Sequence, residues 1–336
     1  MRNYLIIGLF IAGLSISCTN TTKGYRNDNV GQALGTTYSI ITITPVEMDL
    51  HKDIDSVFAV INKSLSTYIP ESDISRINTG DSSVVVDKMF REVFKLSKEI
   101  YAETKGYFDP TVGTLVNAWG FGPEHQIELD SLKVDSLLKY VGFDKVMLTT
   151  KNRVHKTNAN IYLDFNAIAK GYSIDRLAAM LKAKGIENYL IEVGGEVIAK
   201  GRNTIKDKSW IVGIDDPEMQ TQRASKILIH LNNRALASSG NYRKFRIDKA
   251  TGKKYVHTVN PKTGFTQNSN TLAVTILANN CATADAYATA FMAMDLDEAF
   301  KLINTNKNLE AYIVYLDENG QTQEFLTKGF KELVVE

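Results

Sequence analysis

Residues 163–185, LDFNAIAKGYSIDRLAAMLKAKG, decide how the rest of the chain is read. A short apolar strand ending at Leu163 runs into Asp164, and Asn166 can cap a helix. Ile168, Tyr172, Ile174, Leu177, Ala178 and Leu181 recur at a helical period, and Gly185 supplies a stop. Two residues break local rules. Lys170 falls in the first turn, where the helix dipole disfavours a cation. Gly171 falls inside the helix, where it costs about 1 kcal/mol relative to alanine. An anion docked at this helix end, needing close backbone approach, accounts for both. So does a solvated lysine beside a tight helix crossing at Gly171.

Around this stretch, strands are expected over 189–193, 210–214, 227–231 and 272–278, the first ending in Gly194-Gly195-Glu196. Residues 235–242 (ALASSGNY) read as a small-residue loop rich in hydroxyls. Residues 244–248 and 255–259 flank Thr251-Gly252 as a hairpin, whose second arm carries His257 into the turn Asn260-Pro261-Lys262-Thr263-Gly264. An alanine-rich helix follows over 282–292, then a helix over 298–304 that Asp295 can cap, and a closing hairpin of 311–316 with 322–326. Upstream, 32–44 reads as a first strand opened by a Gly35-Thr36-Thr37 turn. Ile54, Val57, Phe58, Ile61 and Leu65 mark one helix face, and Asp87 caps a second long helix to about Glu103. Residues 106–126 read as a long loop carrying Phe108, Trp119 and Phe121, and loops of that kind are usually functional. A short helix over 132–141 and a strand over 146–149 complete the set. Strands and helices are interspersed without regular alternation, which predicts an α+β fold of mixed sheets with helices packed around them.

The ends and the composition narrow the function. Lys and Arg total 39 against 38 Asp and Glu, a net charge of +1, and no basic stripe calls for nucleic acid. Arg2 and the apolar run 4–16 form a targeting segment too short to span a bilayer comfortably. Ser15-Ile16-Ser17-Cys18 resembles a bacterial lipoprotein signal, although Ser15 replaces the usual leucine. The expected organisation is a signal peptide over 1–17, a lipidated Cys18 with a polar tether over 18–30, and a catalytic domain over 31–336. The chain has two cysteines; with Cys18 lipidated, Cys281 has no partner and neither a disulfide framework nor a thiolate metal cluster forms.

Asp285 and Thr289 are four residues apart on the alanine-rich helix, so a carboxylate and a hydroxyl share a face. Two oxygen donors without histidine or thiolate suit a hard cation such as magnesium. An aspartate bonded to a neighbouring loop is the other reading. The five histidines are scattered, and none is spaced as a helical metal ligand. The unperturbed pKa of histidine suits His257 to general-base work, and a hydrogen-bonded core position suits it equally. No nucleophile elbow, Walker loop or Rossmann fingerprint is present.

Taken together, GTTYSI (35–40), STYIPESDISRIN (66–78), GYFDPTVGTLVNAWGFGP (106–123), DFNAIAKGY (164–172), YLIEVGGEV (189–197), SSGNYR (238–243), HTVNPKTG (257–264) and ATADAYATA (282–290) resemble the FAD:protein FMN transferases of the ApbE type, in family order. The resemblance implies that the pyrophosphate of FAD is split, that FMN passes to a Thr or Ser hydroxyl of an acceptor protein, and that AMP leaves. It implies magnesium held by the Ala167 carbonyl, Asp285 and Thr289, with Ala288 at a position that is sometimes acidic. It implies flavin contacts at Leu34, Tyr68, Ala118, Trp119, Gly120, Asp164, Lys170 and Val259, with Tyr68 and Trp119 as flat faces for stacking and His257 as base. It also implies acceptors among membrane redox subunits facing the periplasm, which agrees with lipid anchoring at that face of the inner membrane. A magnesium-dependent FAD pyrophosphatase and a flavin-binding lipoprotein without turnover are the alternatives.

Overall fold

The computed structural model describes residues 24–124, 126–218, 225–241, 245–247, 254–266 and 270–335. In chain order these form β1 (Tyr25–Ala33), β2 (Thr36–Thr44), α1 (His51–Leu65), α2 (Asp73–Asn78), α3 (Lys88–Glu103), α4 (Gly113–Ala118), α5 (Ser131–Leu138), β3 (Val146–Leu148), β4 (Val154–Lys156), α6 (Asn166–Ala183), β5 (Tyr189–Val193) and β6 (Glu196–Lys200). They continue with β7 (Ile211–Asp215), β8 (Ser225–His230), β9 (Ala235–Gly240), β10 (Phe245–Ile247), β11 (Lys254–Val256), β12 (Thr271–Ala278), α7 (Cys281–Ala293), α8 (Leu296–Thr305), β13 (Glu310–Leu316), β14 (Thr322–Leu326) and α9 (Lys328–Lys331).

One sheet organises the chain, in the order β1-β2-β5-β6-β9-β12-β13-β14. Every neighbouring pair in it is antiparallel. Alternation along each strand then divides the side chains between two faces. Val274, Ile276 and Ala278 of β12, with Ala311 and Ile313 of β13, meet residues of α3, α6 and α7. Their neighbours Leu277, Tyr312 and Val314 point the other way, onto Trp210, the β7–β8 hairpin and Phe330 of α9. Helices therefore cover one face and a small hairpin layer covers the other, which bears out the α+β reading.

Three expectations change. Residues 25–30 are not tether but part of β1, where the Asn27 amide donates to the Thr42 and Thr44 hydroxyls at 3.2 and 2.7 Å. Their polar composition hid a strand because β1 ends the sheet and has a partner on one side. Residues 235–240 are strand β9, between β6 and β12. Its Ala235 and Ala237 are small because α7 presses on them, and the Ser238 hydroxyl pairs with that of Thr275 at 2.9 Å. The segment 106–126 holds helix α4 instead of running as one loop. The signal segment, Cys18, His125 and the Thr251-Gly252 turn lie outside the described residues. No described helix is long and apolar enough to cross a membrane.

Candidate active site

The site is built where α6 crosses α7. A Cβ on Gly171 would lie 2.3 Å from the Cys281 carbonyl oxygen and 2.8 Å from the Ala282 Cα. Glycine is there to let two helices touch, as the tight-crossing reading expects, but Lys170 beside it is paired with Glu196 and not simply solvated. The alanines of α7 keep its other faces slim, and it is buried nearly all round. Two caps fix its start. The Asn280 side chain accepts the Thr283 N–H at 2.8 Å, and Asp175 of α6 accepts the N–H groups of Cys281 and Ala282 at 2.7 and 2.9 Å. Burial pushes the Asp175 carboxyl up to about 6, although both N–H groups pull it down. Gly171→Ala is expected to cost about 1–3 kcal/mol in chemical denaturation, because the clash is with backbone and the helices must part. An unchanged midpoint would show that the crossing tolerates a methyl group.

The crossing delivers one polar contact. The Gly171 N–H donates to Asp285 Oδ2 at 3.0 Å. In a regular helix that N–H is addressed to the carbonyl four residues back, that of Ala167. Asp285 therefore competes for the donor that Ala167 would otherwise receive. Asp285 is buried, 4% exposed. Its burial raises the carboxyl to about 7; Lys170 opposes that rise and the Glu196 charge adds to it. Lys170 is the fifth residue of α6, not part of its first turn, and its ammonium hydrogen-bonds to Glu196 Oε1. Burial alone would lower the ammonium, but the Asp285 and Glu196 carboxylates outweigh it and hold the pKa above its ordinary value.

Asn166 does not cap α6. It is the first helical residue, and its N–H goes to Asp164 Oδ1 at 2.7 Å. Asp164 is buried, and that burial raises its carboxyl; its own N–H donates to the Pro110 carbonyl at 2.7 Å. Tyr68 is 60% exposed, and its phenol is raised by partial burial and by the Asp164 charge. Leu34 occupies the β1–β2 turn at φ 52 and packs against the α6 side of the core.

Ala118, Trp119 and Gly120 end α4. Trp119 is a core side chain, 6% exposed, clustered with Leu115, Val134, Val141 and Val259, and its indole N–H donates to the Gly264 carbonyl at 2.8 Å. It is no open stacking face here; the indole found an apolar cluster and one acceptor, as buried tryptophans do. Gly120 turns the chain at φ 79. Val259 bridges to Thr266, and His257, half-buried, follows β11 directly. The Asn260 amide donates to the carbonyl of Ala293, the last residue of α7, at 3.2 Å. The structure thus brings Ala167, Lys170 and Asp285 together at the crossing and gathers Trp119 and Val259 in a second cluster, tied to the far end of the same helix.

Asp285, the Thr289 hydroxyl one turn on and the Ala167 carbonyl are oxygen donors of the kind a hard cation takes. Once Asp285 is deprotonated, it and Glu196 together exceed the charge of Lys170, which leaves negative charge that a cation could offset. Ala288 is fully buried and offers only a methyl group, so its side chain does not fit as a ligand. Among the described residues no three His, Cys, Asp or Glu side chains are grouped to hold a metal, so a cation held here would draw on backbone and hydroxyl oxygens as well. Sequence reading missed Glu196 and Asp175; the signal for Glu196 was a carboxylate just after a Gly-Gly turn at a strand start.

These features define a mixed helix–sheet protein with a half-buried amine near two buried acids at a helix crossing. The chain belongs to the ApbE family, whose pattern matches residues 34–313. It is 32% identical to the FAD:protein FMN transferase of Haemophilus influenzae and 33% identical to that of Vibrio cholerae, with 98% of each chain covered in both cases. The solved flavin transferase ApbE of Vibrio cholerae is similar at a TM-score of 0.82 and 30% identity, over 92% of this chain and 99% of that one. The apo form of the Pseudomonas stutzeri flavinyl transferase ApbE reaches 0.82 at 28% identity, over 94% and 98%.

Proposed function

We propose that this chain is an FAD:protein FMN transferase that cleaves FAD, links its FMN part through a phosphoester to a Thr or Ser hydroxyl of an acceptor protein, and releases AMP. The observation that carries this reading is the likeness to FAD:protein FMN transferases over nearly the whole chain. The buried Asp285 and the half-buried Lys170 at the crossing support it, because phosphoryl transfer needs placed charge more than covalent help from the protein. Asp285, Thr289 and the Ala167 carbonyl would hold magnesium, which when bound offsets charge on the pyrophosphate. Lys170 meets further phosphate charge. Leu34, Tyr68, Asp164 and the Ala118–Gly120 and Val259 segments shape the flavin pocket, with Tyr68, exposed and aromatic, as the ring's stacking partner. His257 takes the proton of the acceptor hydroxyl.

The acceptors are redox subunits at the periplasmic face of the inner membrane, where lipid on Cys18 holds the enzyme. The direct test is co-expression with a candidate acceptor, reading FMN by flavin fluorescence on a denaturing gel and by added mass. FMN and AMP from FAD with no flavin retained on the acceptor would make the chain a hydrolase. Intact FAD recovered after magnesium addition would make it a binding protein.

A further inference from the structure

Lys170 stands near two buried carboxylates and pairs with one. Its ammonium is bonded to Glu196 Oε1, and among the described ion pairs Glu196 is its partner. Asp285 takes the Gly171 N–H instead, although its charge reaches Lys170 strongly. Glu196 opens β6 directly after Gly194 and Gly195, which both turn with positive φ. Its side chain is 4% exposed, and its second oxygen, Oε2, is buried without a hydrogen-bond partner. A buried carboxylate with an unsatisfied oxygen burdens the fold, and an apolar residue would serve this strand start better. The arrangement therefore points to a task outside stability.

We propose that Glu196 is a positioning residue that holds the Lys170 ammonium off Asp285 and so keeps the Asp285 carboxylate open to the magnesium ion. This rests on the reading of Asp285 as a magnesium ligand. A half-buried ammonium near two buried carboxylates pairs with the nearer one. With Glu196 charged, that anion is Glu196. With Glu196 neutral, Lys170 turns to Asp285 and puts its own charge where the cation belongs.

The test uses the folded chain with Mn2+ as probe, the free ion counted by electron paramagnetic resonance and Mg2+ as competitor. Glu196→Gln is expected to weaken binding about tenfold or more, since an ammonium then competes for the carboxylate. Adding Lys170→Met to Glu196→Gln is expected to restore binding, which a merely structural defect would not allow. Lys170→Met alone is expected to bind at least as tightly as the wild type, and it needs no change at Glu196 should Glu196→Gln fold poorly. Wild-type affinity in Glu196→Gln, a double variant as weak as the single one, or weakened binding in Lys170→Met would overturn the proposal while leaving Asp285 as a ligand. Cation binding indifferent to Asp285→Ala would overturn both.

Discussion

Asp285→Ala is expected to lower FMN transfer by about 1000-fold or more while leaving the fold in place, because it removes the carboxylate proposed to hold the cation. The loss should be chemical, not structural. Lys170 keeps Glu196, α7 keeps its Asn280 and Asp175 caps, and the crossing at Gly171 gives up one hydrogen bond. The pH dependence of stability separates the two cases. Asp285 sits at about 7 in the folded protein against an ordinary value of 3.8. A raised carboxyl stabilises the fold fully below its ordinary value, and that contribution is lost as pH rises through about 7. Without metal, the wild type is therefore expected to lose ground to Asp285→Ala between pH 4 and 8. Magnesium at pH 8 should raise the melting temperature of the wild type and leave the variant unmoved, because binding needs the carboxylate deprotonated. Melting curves at pH 5 and 8, with and without magnesium, beside a gel assay of transfer, check this. Transfer within tenfold of wild type would remove Asp285 from the reaction.

What could be read from the chain divides by how local the signal is. The alanine-rich helix was legible because the composition admits little else, and its Asp285–Thr289 spacing survives in α7. The Asp87 cap was legible for the same reason: the side chain does accept the Phe90 N–H, at 2.8 Å. Strand β9 was not legible, since its alanines and serines answer to the pressure of α7 from above and not to any strand propensity of their own. Strand β1 failed for the opposite reason: at the edge of the sheet its polar residues have little apolar burial to announce them. At the site, Gly171 was rightly picked as a departure from helix rules, but its cause lay 110 residues and more away, in the Cys281 carbonyl and Asp285; Lys170 was picked for a first-turn position that it does not hold. Glu196 carried only a weak signal, because a Gly-Gly-Glu turn looks like any strand start until Lys170 is seen to lean on it. Trp119 misled, since an indole in a glycine-rich segment reads as an open face, and the Gly264 carbonyl that closes it is far along the chain.

His257→Ala is expected to slow transfer by about 100- to 10,000-fold while FAD binds nearly as before, the range a general base contributes. The structure says why binding should survive. The segment carrying the imidazole is stapled by other groups: the Thr258 hydroxyl donates to Asn241 Oδ1 at 3.0 Å, the Gly264 N–H to the Asn260 carbonyl at 2.8 Å, and the Asn260 amide to the end of α7. The Trp119 indole closes the same turn from α4. None of these runs through the imidazole ring, so its removal leaves the Val259 wall and the α7 contact standing. What is lost is the group proposed to take the proton of the acceptor hydroxyl, so the variant should lose the acid limb that a general base gives the rate. Added imidazole should restore part of the rate if the ring acts as a base. Equilibrium binding of FAD, single-turnover transfer from pH 5.5 to 8.5 and the imidazole series decide it together. FAD affinity falling in step with the rate, with no rescue, would make His257 a wall of the pocket and leave the acceptor hydroxyl to lose its proton elsewhere.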